Sequence, residues 1–166
     1  MKITHETRTF VVASAITLVL RGVLAAWLPI TGDEAYFHAW GKNPDWGFYD
    51  HPPMVGWWLA AMSAISDHPF VLRLPALLAP PLVALIVAAT LARHGPALAW
   101  SAATLVLLVP LNAWNVAITT DIPLMVFSAA AVAAYLRALR TGRAADFLFT
   151  GLMLGGALLS KYFAVL

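Results

Sequence analysis

The chain is 166 residues long, 61% hydrophobic and only 11% charged, with a mean hydropathy of +0.80 and a formal net charge of +2. Soluble domains carry nearer a quarter charged residues, so this composition excludes them and marks an integral membrane protein. The absence of cysteine removes disulfide frameworks and thiolate chemistry, and the basic residues lie at alternating segment ends rather than in one stripe, which removes nucleic-acid binding.

A spanning helix takes roughly 20 mostly apolar residues. The first such window covers residues 9–28. Lys2 and Arg8 would suit the n-region of a signal peptide, and Ala25-Ala26 a cleavage site, but the apolar run is long and carries Arg21, so an uncleaved anchor is expected. The next segment, 29–69, is too long for a turn. It holds Gly32-Asp33-Glu34-Ala35-Tyr36 with His38 and Trp40, then Phe48-Tyr49-Asp50-His51-Pro52-Pro53-Met54. A short helix over Glu34 to Gly41 would place Tyr36 and Trp40 on one face. Pro52 and Pro53 suit the start of a second helix, Met54 to Ile65, too short to span and expected at the outer membrane surface.

Further spanning windows follow at 70–92, 97–116, 122–139 and 145–166. The expected fold is therefore all-α, a polytopic transmembrane bundle of about five spanning helices plus short interfacial helices in the first outer loop. Lys2, Arg8, Arg93, Arg137, Arg140 and Arg143 mark one side; Asp33, Glu34, Asp45, Asp50, Asp67 and Asp121 mark the other, against Lys42. The basic side reads as cytoplasmic, with the N-terminus on it, and the acidic loops face the periplasm or extracellular space. The sequence ends within an apolar run at Leu166, so residues 1–166 read as the N-terminal part of a longer protein.

Charge at a membrane exit is a site by default. Asp33 and Glu34 point in different directions, so one can act as a base while the other binds. The alternative is that Asp33 caps the next helix, with Glu34 in its first turn. Arg21, about 12 Å below the outer end of its helix, suits a phosphate clamp or an ion pair with Asp33 or Glu34. Lys161 nears the same outer face in the fifth window, with phosphate contact and ion pairing both open. Asp121, in Thr119-Thr120-Asp121-Ile122-Pro123, either helps cap its helix or adds a second carboxylate. Asp50 and His51, with Glu34 or His38, are competent ligands for a divalent metal, although no spacing matches a dedicated metal motif. Gly151, Gly155 and Gly156 read as helix packing.

These blocks resemble the GT-C membrane glycosyltransferases, in particular the superfamily of protein O-mannosyltransferases and lipid A aminoarabinose transferases. Gly32-Asp33-Glu34-Ala35-Tyr36 with Trp40 looks like the family's Asp-Glu motif, and Phe48-Tyr49-Asp50-His51-Pro52-Pro53-Met54 with Trp57 like its second block. Thr120-Asp121-Ile122-Pro123 and Leu159-Ser160-Lys161-Tyr162 fall in the expected order. The hairpin lacks the proline of the family's frequent Thr-Pro-Asp, and His51 stands where aminoarabinose transferases commonly have lysine. The resemblance implies a polyprenyl-phosphate-linked sugar as donor and a protein, lipid A or other glycan as acceptor, in a bacterial inner membrane. It also implies Asp33 as general base with Glu34 as the second catalytic residue, Arg21, Lys161 or a metal at the leaving phosphate, and Tyr36, Asp50, His51 and Asp121 in support. Inversion at the anomeric carbon would follow from one base and one phosphate clamp. Competing classes are a transporter or lipid flippase, and a non-catalytic assembly factor that docks through the outer loop. The acids lie outside rather than at the midplane, and no repeat is evident, which favours the enzyme.

Overall fold

The computed structural model describes residues 4–165, and every described element is helical. Helix α1 (His5–Trp27) begins earlier than its apolar window because Thr4 caps it, its side chain accepting the Thr7 N–H at 3.3 Å. It stops before Pro29, as the residue preceding a proline disfavours helix. Helices α2 (Gly32–Lys42) and α3 (Met54–Ser63) occupy the long loop. They pack closely because Gly41 lies against Leu59 and Gly56 against Phe48 and Trp40, where added side chains would collide.

A single turn, α4 (Pro69–Leu72), leads into α5 (Leu74–Leu91). Next come α6 (Pro96–Leu108) and the short α7 (Pro110–Trp114), and then α8 (Asp121–Thr141) and α9 (Ala144–Leu158). Gly142, in the left-handed region at φ +64°, closes α8 and turns the chain into α9. Gly156 then lets α9 settle on Phe127 of α8, where a Cβ would come within 2.5 Å of the ring.

Among the described residues, three helical runs are long and apolar enough to cross a membrane: His5–Trp27, Pro69–His94 (α4 with α5 and the turn after it) and Asp121–Thr141. The 97–116 and 145–166 windows differ from expectation, forming helices of 13 and 15 residues. Pro110 explains the first, since it pushes Val109 to an extended ψ of 129° and breaks the helix there. The second ends in a turn at Leu159-Ser160, where the Ser160 hydroxyl donates to the Gly156 carbonyl at 2.7 Å.

Two cores result. Phe37, Trp40, Val55, Leu59, Leu72, Ala76, Ile118 and Ile122 fill the acidic end beneath α2 and α3. Toward the basic end, Phe10 joins Ala84, Ala88, Ala103 and Leu107 where α1, α5 and α6 meet.

Pro80 and Pro81 lie inside α5. Neither has an N–H, so the carbonyls four residues earlier, on Ala76 and Leu77, lose their helical partners. Arg21 supplies replacements. Its guanidinium is buried and donates to the Ala76 carbonyl, to that of Leu77 at 3.0 Å, and to that of Asn115 at 3.0 Å. An intramembrane arginine thus ties α1 to the proline pair of α5 and to the segment after α7. Arg21→Met should cost about 1–3 kcal/mol for each carbonyl left bare. In a Pro80→Ala/Pro81→Ala background the cost should shrink, because two backbone N–H groups return. Thermal midpoints of the four proteins measure this; additive losses would contradict it.

Candidate functional site

The acidic end is built around one residue pair. Thr31 and Glu34 form a reciprocal cap on α2: the Thr31 hydroxyl accepts the Glu34 N–H at 3.3 Å, and Glu34 Oε2 accepts the Thr31 N–H at 3.0 Å. Glu34 is 1% exposed, yet both its oxygens are occupied. Arg73 donates Nε to Oε1 and Nη2 to Oε2, each at 2.7 Å, and the Ile118 N–H reaches Oε1 at 3.2 Å. The other Arg73 donors close the end of α1. Nη1 reaches the carbonyls of Ala25 at 2.9 Å and Leu28 at 2.8 Å, and Nη2 reaches that of Pro29 at 2.8 Å. Five N–H groups thus meet five acceptors, which is how a guanidinium 1% exposed can be tolerated.

Burial pushes the Glu34 carboxyl up, but Arg73 and the N–H groups of Thr31 and Ile118 outweigh it and hold the group below its ordinary value. A lowered folded-state pKa means that the contribution to stability is present above the unfolded-state pKa and is lost as pH falls through the folded one.

Asp33 stands one residue away with opposite properties. It is exposed, and among the described residues its carboxylate takes no hydrogen bond or ion pair. The cap of α2 is Thr31, not Asp33.

Tyr36 Oη donates to Asp50 Oδ1 at 3.2 Å, joining the two sequence blocks. Their aromatics interleave: Trp40 stacks on Phe48 with centroids 4.3 Å apart and meets Tyr36 edge-on at 4.7 Å, as the shared helix face predicts. The Tyr36 phenol is raised, by partial shielding from water first and by the Asp50 charge second. His51 sits 6.0 Å from the Phe37 ring, its Nδ1 buried and unpartnered.

Asp67, on the far side of α2, takes Lys42 at 2.6 Å and His38 at 3.1 Å. Those two hydrogen bonds, Lys42 first, lower its carboxyl to about 2. Lys161 pairs with the exposed Asp121 at 2.7 Å, fastening the end of α9 to the start of α8. Thr120 gives α8 no side-chain cap, and Pro123 lies in the first turn as its fixed φ favours. The Met54 N–H donates to the Leu159 carbonyl at 3.0 Å, so α3 is fastened there as well.

The structure therefore brings Glu34, the irregular segment before α8, Asp121 and Lys161 into one continuous set of contacts. It does not gather Glu34, Asp50 and His51 into a metal ligand set. Arg73, Thr31 and Ile118 occupy Glu34, Tyr36 holds Asp50, and no group of three such ligands occurs among the described residues. Arg21 meets neither Asp33 nor Glu34, and its three hydrogen bonds go to backbone carbonyls. Arg73 is the residue that the sequence reading passed over. Its signal was a lone charge within Phe70-Val71-Leu72-Arg73-Leu74, which calls for a buried partner by the same reasoning applied to Arg21.

An all-helical membrane bundle with adjacent Asp and Glu on a capped helix, set among aromatics at one end, has the make-up of a GT-C-type membrane glycosyltransferase. Residues 50–166 match the family described as dolichyl-phosphate-mannose-protein mannosyltransferase, and the chain belongs to that family. Arg73, Asp121 and Lys161 lie inside the matched region; Arg21, Asp33 and Glu34 precede it. The chain is also 34% identical over 134 residues to the lipid A galacturonosyltransferase RgtD of Rhizobium johnstonii, an alignment covering 78% of this chain and 28% of that protein. No solved structure matches.

Removing one member of a buried ion pair strands the other, at a cost of about 3–5 kcal/mol. Arg73→Met should therefore lower the thermal midpoint strongly, and Arg73→Lys should recover only part, since an ammonium has three donors where five are used. A wild-type midpoint in Arg73→Met would contradict this assignment.

Proposed function

We propose that the full-length protein transfers a sugar from a polyprenyl-phosphate donor to an acceptor hydroxyl on the acidic side of the membrane, with inversion at the anomeric carbon. That side is the periplasmic or extracellular face of a bacterial inner membrane, since the basic ends are expected in the cytoplasm. The observation that carries the reading is the contrast at Asp33-Glu34: one carboxylate saturated and buried, its neighbour exposed and unengaged.

Asp33 serves as general base. It takes the proton from the acceptor hydroxyl as that oxygen bonds to the anomeric carbon and the bond from that carbon to the lipid phosphate breaks. The phosphate departs as an anion, so no carboxylic acid has to protonate it. Positive charge stabilises it instead, a role assigned in this reading to Lys161. Its partner Asp121 is 62% exposed, and a solvent-accessible pair of this kind exchanges readily for a phosphate oxygen. Arg21 is not assigned this role, as its donors serve backbone carbonyls of α5 and Asn115. Tyr36, Asp50 and His51 form the aromatic and polar wall beside α2.

The family description names a dolichyl-phosphate-mannose donor and protein acceptors, and the relative's name gives lipid A and a galacturonosyl group. A lipid-phosphate sugar as donor is the chemistry taken here for this chain. The chain spans about 28% of that relative's length, so the acceptor site belongs with the complete protein.

The test is sugar transfer by the full-length protein in membranes with radiolabelled polyprenyl-phosphate sugars. Asp33→Asn should insert and fold normally while transfer falls about 10²- to 10⁴-fold, the usual contribution of a general base. Full transfer by the variant would remove Asp33 as base, and no transfer by folded wild type with any donor would remove the reaction.

A further inference from the structure

The opposite, basic end holds a second feature that the transfer reaction does not use. Between α5, α8 and α9 lies a groove of about 480 Å³. Arg137, Arg140 and Asp146 stand at its mouth, and Thr90, Ala130 and Ala133 line it further in. The small side chains leave the space open, and Thr90 is turned inward on its own helix, donating to the Ile86 carbonyl at 2.7 Å. Thr90 and Ala133 also line an adjoining apolar groove of about 390 Å³ that continues along α5 and α8 to Ser128.

Charge at the mouth is unbalanced. Asp146 accepts from Arg137 at 3.1 Å and from the Thr141 hydroxyl, which leaves that pair neutral. Arg140 is exposed and takes no ion pair or hydrogen bond among the described residues. The depth also fits a lipid. From Arg140 to Ala130 is about 15 Å along α8 at ~1.5 Å per residue, close to half of a ~30 Å hydrocarbon core.

The geometry points to an anionic phospholipid in this groove, its phosphate on Arg140 and the outer side of Arg137, and an acyl chain lying over Ala133 and Ala130. Basic pockets between membrane helices bind such headgroups by charge, with each arginine near the surface favouring an anionic lipid about fivefold. A neutral, zwitterionic lipid gains the chain contacts without the net charge, so the site selects by headgroup. This site is independent of the sugar-transfer reading, and its test uses no activity measurement.

The experiment reconstitutes the full-length protein in vesicles of equal phosphatidylglycerol and phosphatidylcholine, extracts it in mild detergent, and measures the retained lipid by mass spectrometry. Wild type should retain phosphatidylglycerol over phosphatidylcholine by about fivefold or more. Arg137→Gln/Arg140→Gln, two surface changes, should bring the two lipids near parity. Ala133→Leu should lower total retention with the arginines intact. Parity in wild type, or an undiminished preference in the double variant, would overturn the site. So would an Ala133→Leu protein that keeps its lipid but melts lower, since another helix of the chain would then fill the groove.

Discussion

The acidic end depends on the contact between Glu34 and Arg73. Both groups are almost fully removed from water, and a buried ion pair is stabilising only when its remaining hydrogen-bonding capacity is met. Here it is met by backbone: the Thr31 and Ile118 N–H groups on the acid, and three carbonyls from the end of α1 on the base. The pair therefore joins α1, α2, the start of the second span and the segment before α8. Because Glu34 is fixed in the first turn of α2, the direction of Asp33 is fixed with it.

Arg21 follows the same physical logic in a different place. Two prolines lie inside α5, and in a membrane bundle no water is at hand to satisfy the carbonyls they release. A guanidinium with several donors in a rigid fork suits that task better than an ammonium. Both buried arginines thus satisfy backbone carbonyls that lack helical partners, Arg21 beside the interior prolines of α5 and Arg73 at the end of α1. The lysines of the acidic end, Lys42 and Lys161, are instead held by exposed carboxylates, Asp67 and Asp121, that solvent can reach. That difference in burial separates the two arginines that hold the scaffold from the two lysines at the surface.

Much of this was legible in the sequence. The two short helices of the first outer loop are expected over Glu34 to Gly41 and, from Pro52-Pro53, over Met54 to Ile65; they run Gly32–Lys42 and Met54–Ser63, and the Tyr36–Trp40 contact follows from their spacing. The Thr31–Glu34 reciprocal cap was also written in the chain as threonine followed three residues later by glutamate, although Asp33 drew attention as the cap. Apolar windows hid two boundaries. Hydropathy sums over 97–116 and 145–166 and takes no account of Pro110 or of the turn at Leu159-Ser160. The partners of Arg21 could not be read by looking for acids, because they are carbonyls and carry no residue-type signature. The indirect sign was Pro80-Pro81. Arg73 escaped because a single charge within an apolar window lowers the mean hydropathy only slightly.

The central claim is that the adjacent acids divide the labour, Glu34 holding the structure and Asp33 meeting the substrate. The most direct test is Glu34→Gln in the full-length protein, with thermal midpoint and sugar transfer measured on the same preparation. The neutral amide keeps the shape but leaves the Arg73 charge buried without its counterion. The account predicts a midpoint well below wild type, with transfer falling because less protein is folded. A wild-type midpoint together with abolished transfer would contradict it and make Glu34 a reacting group.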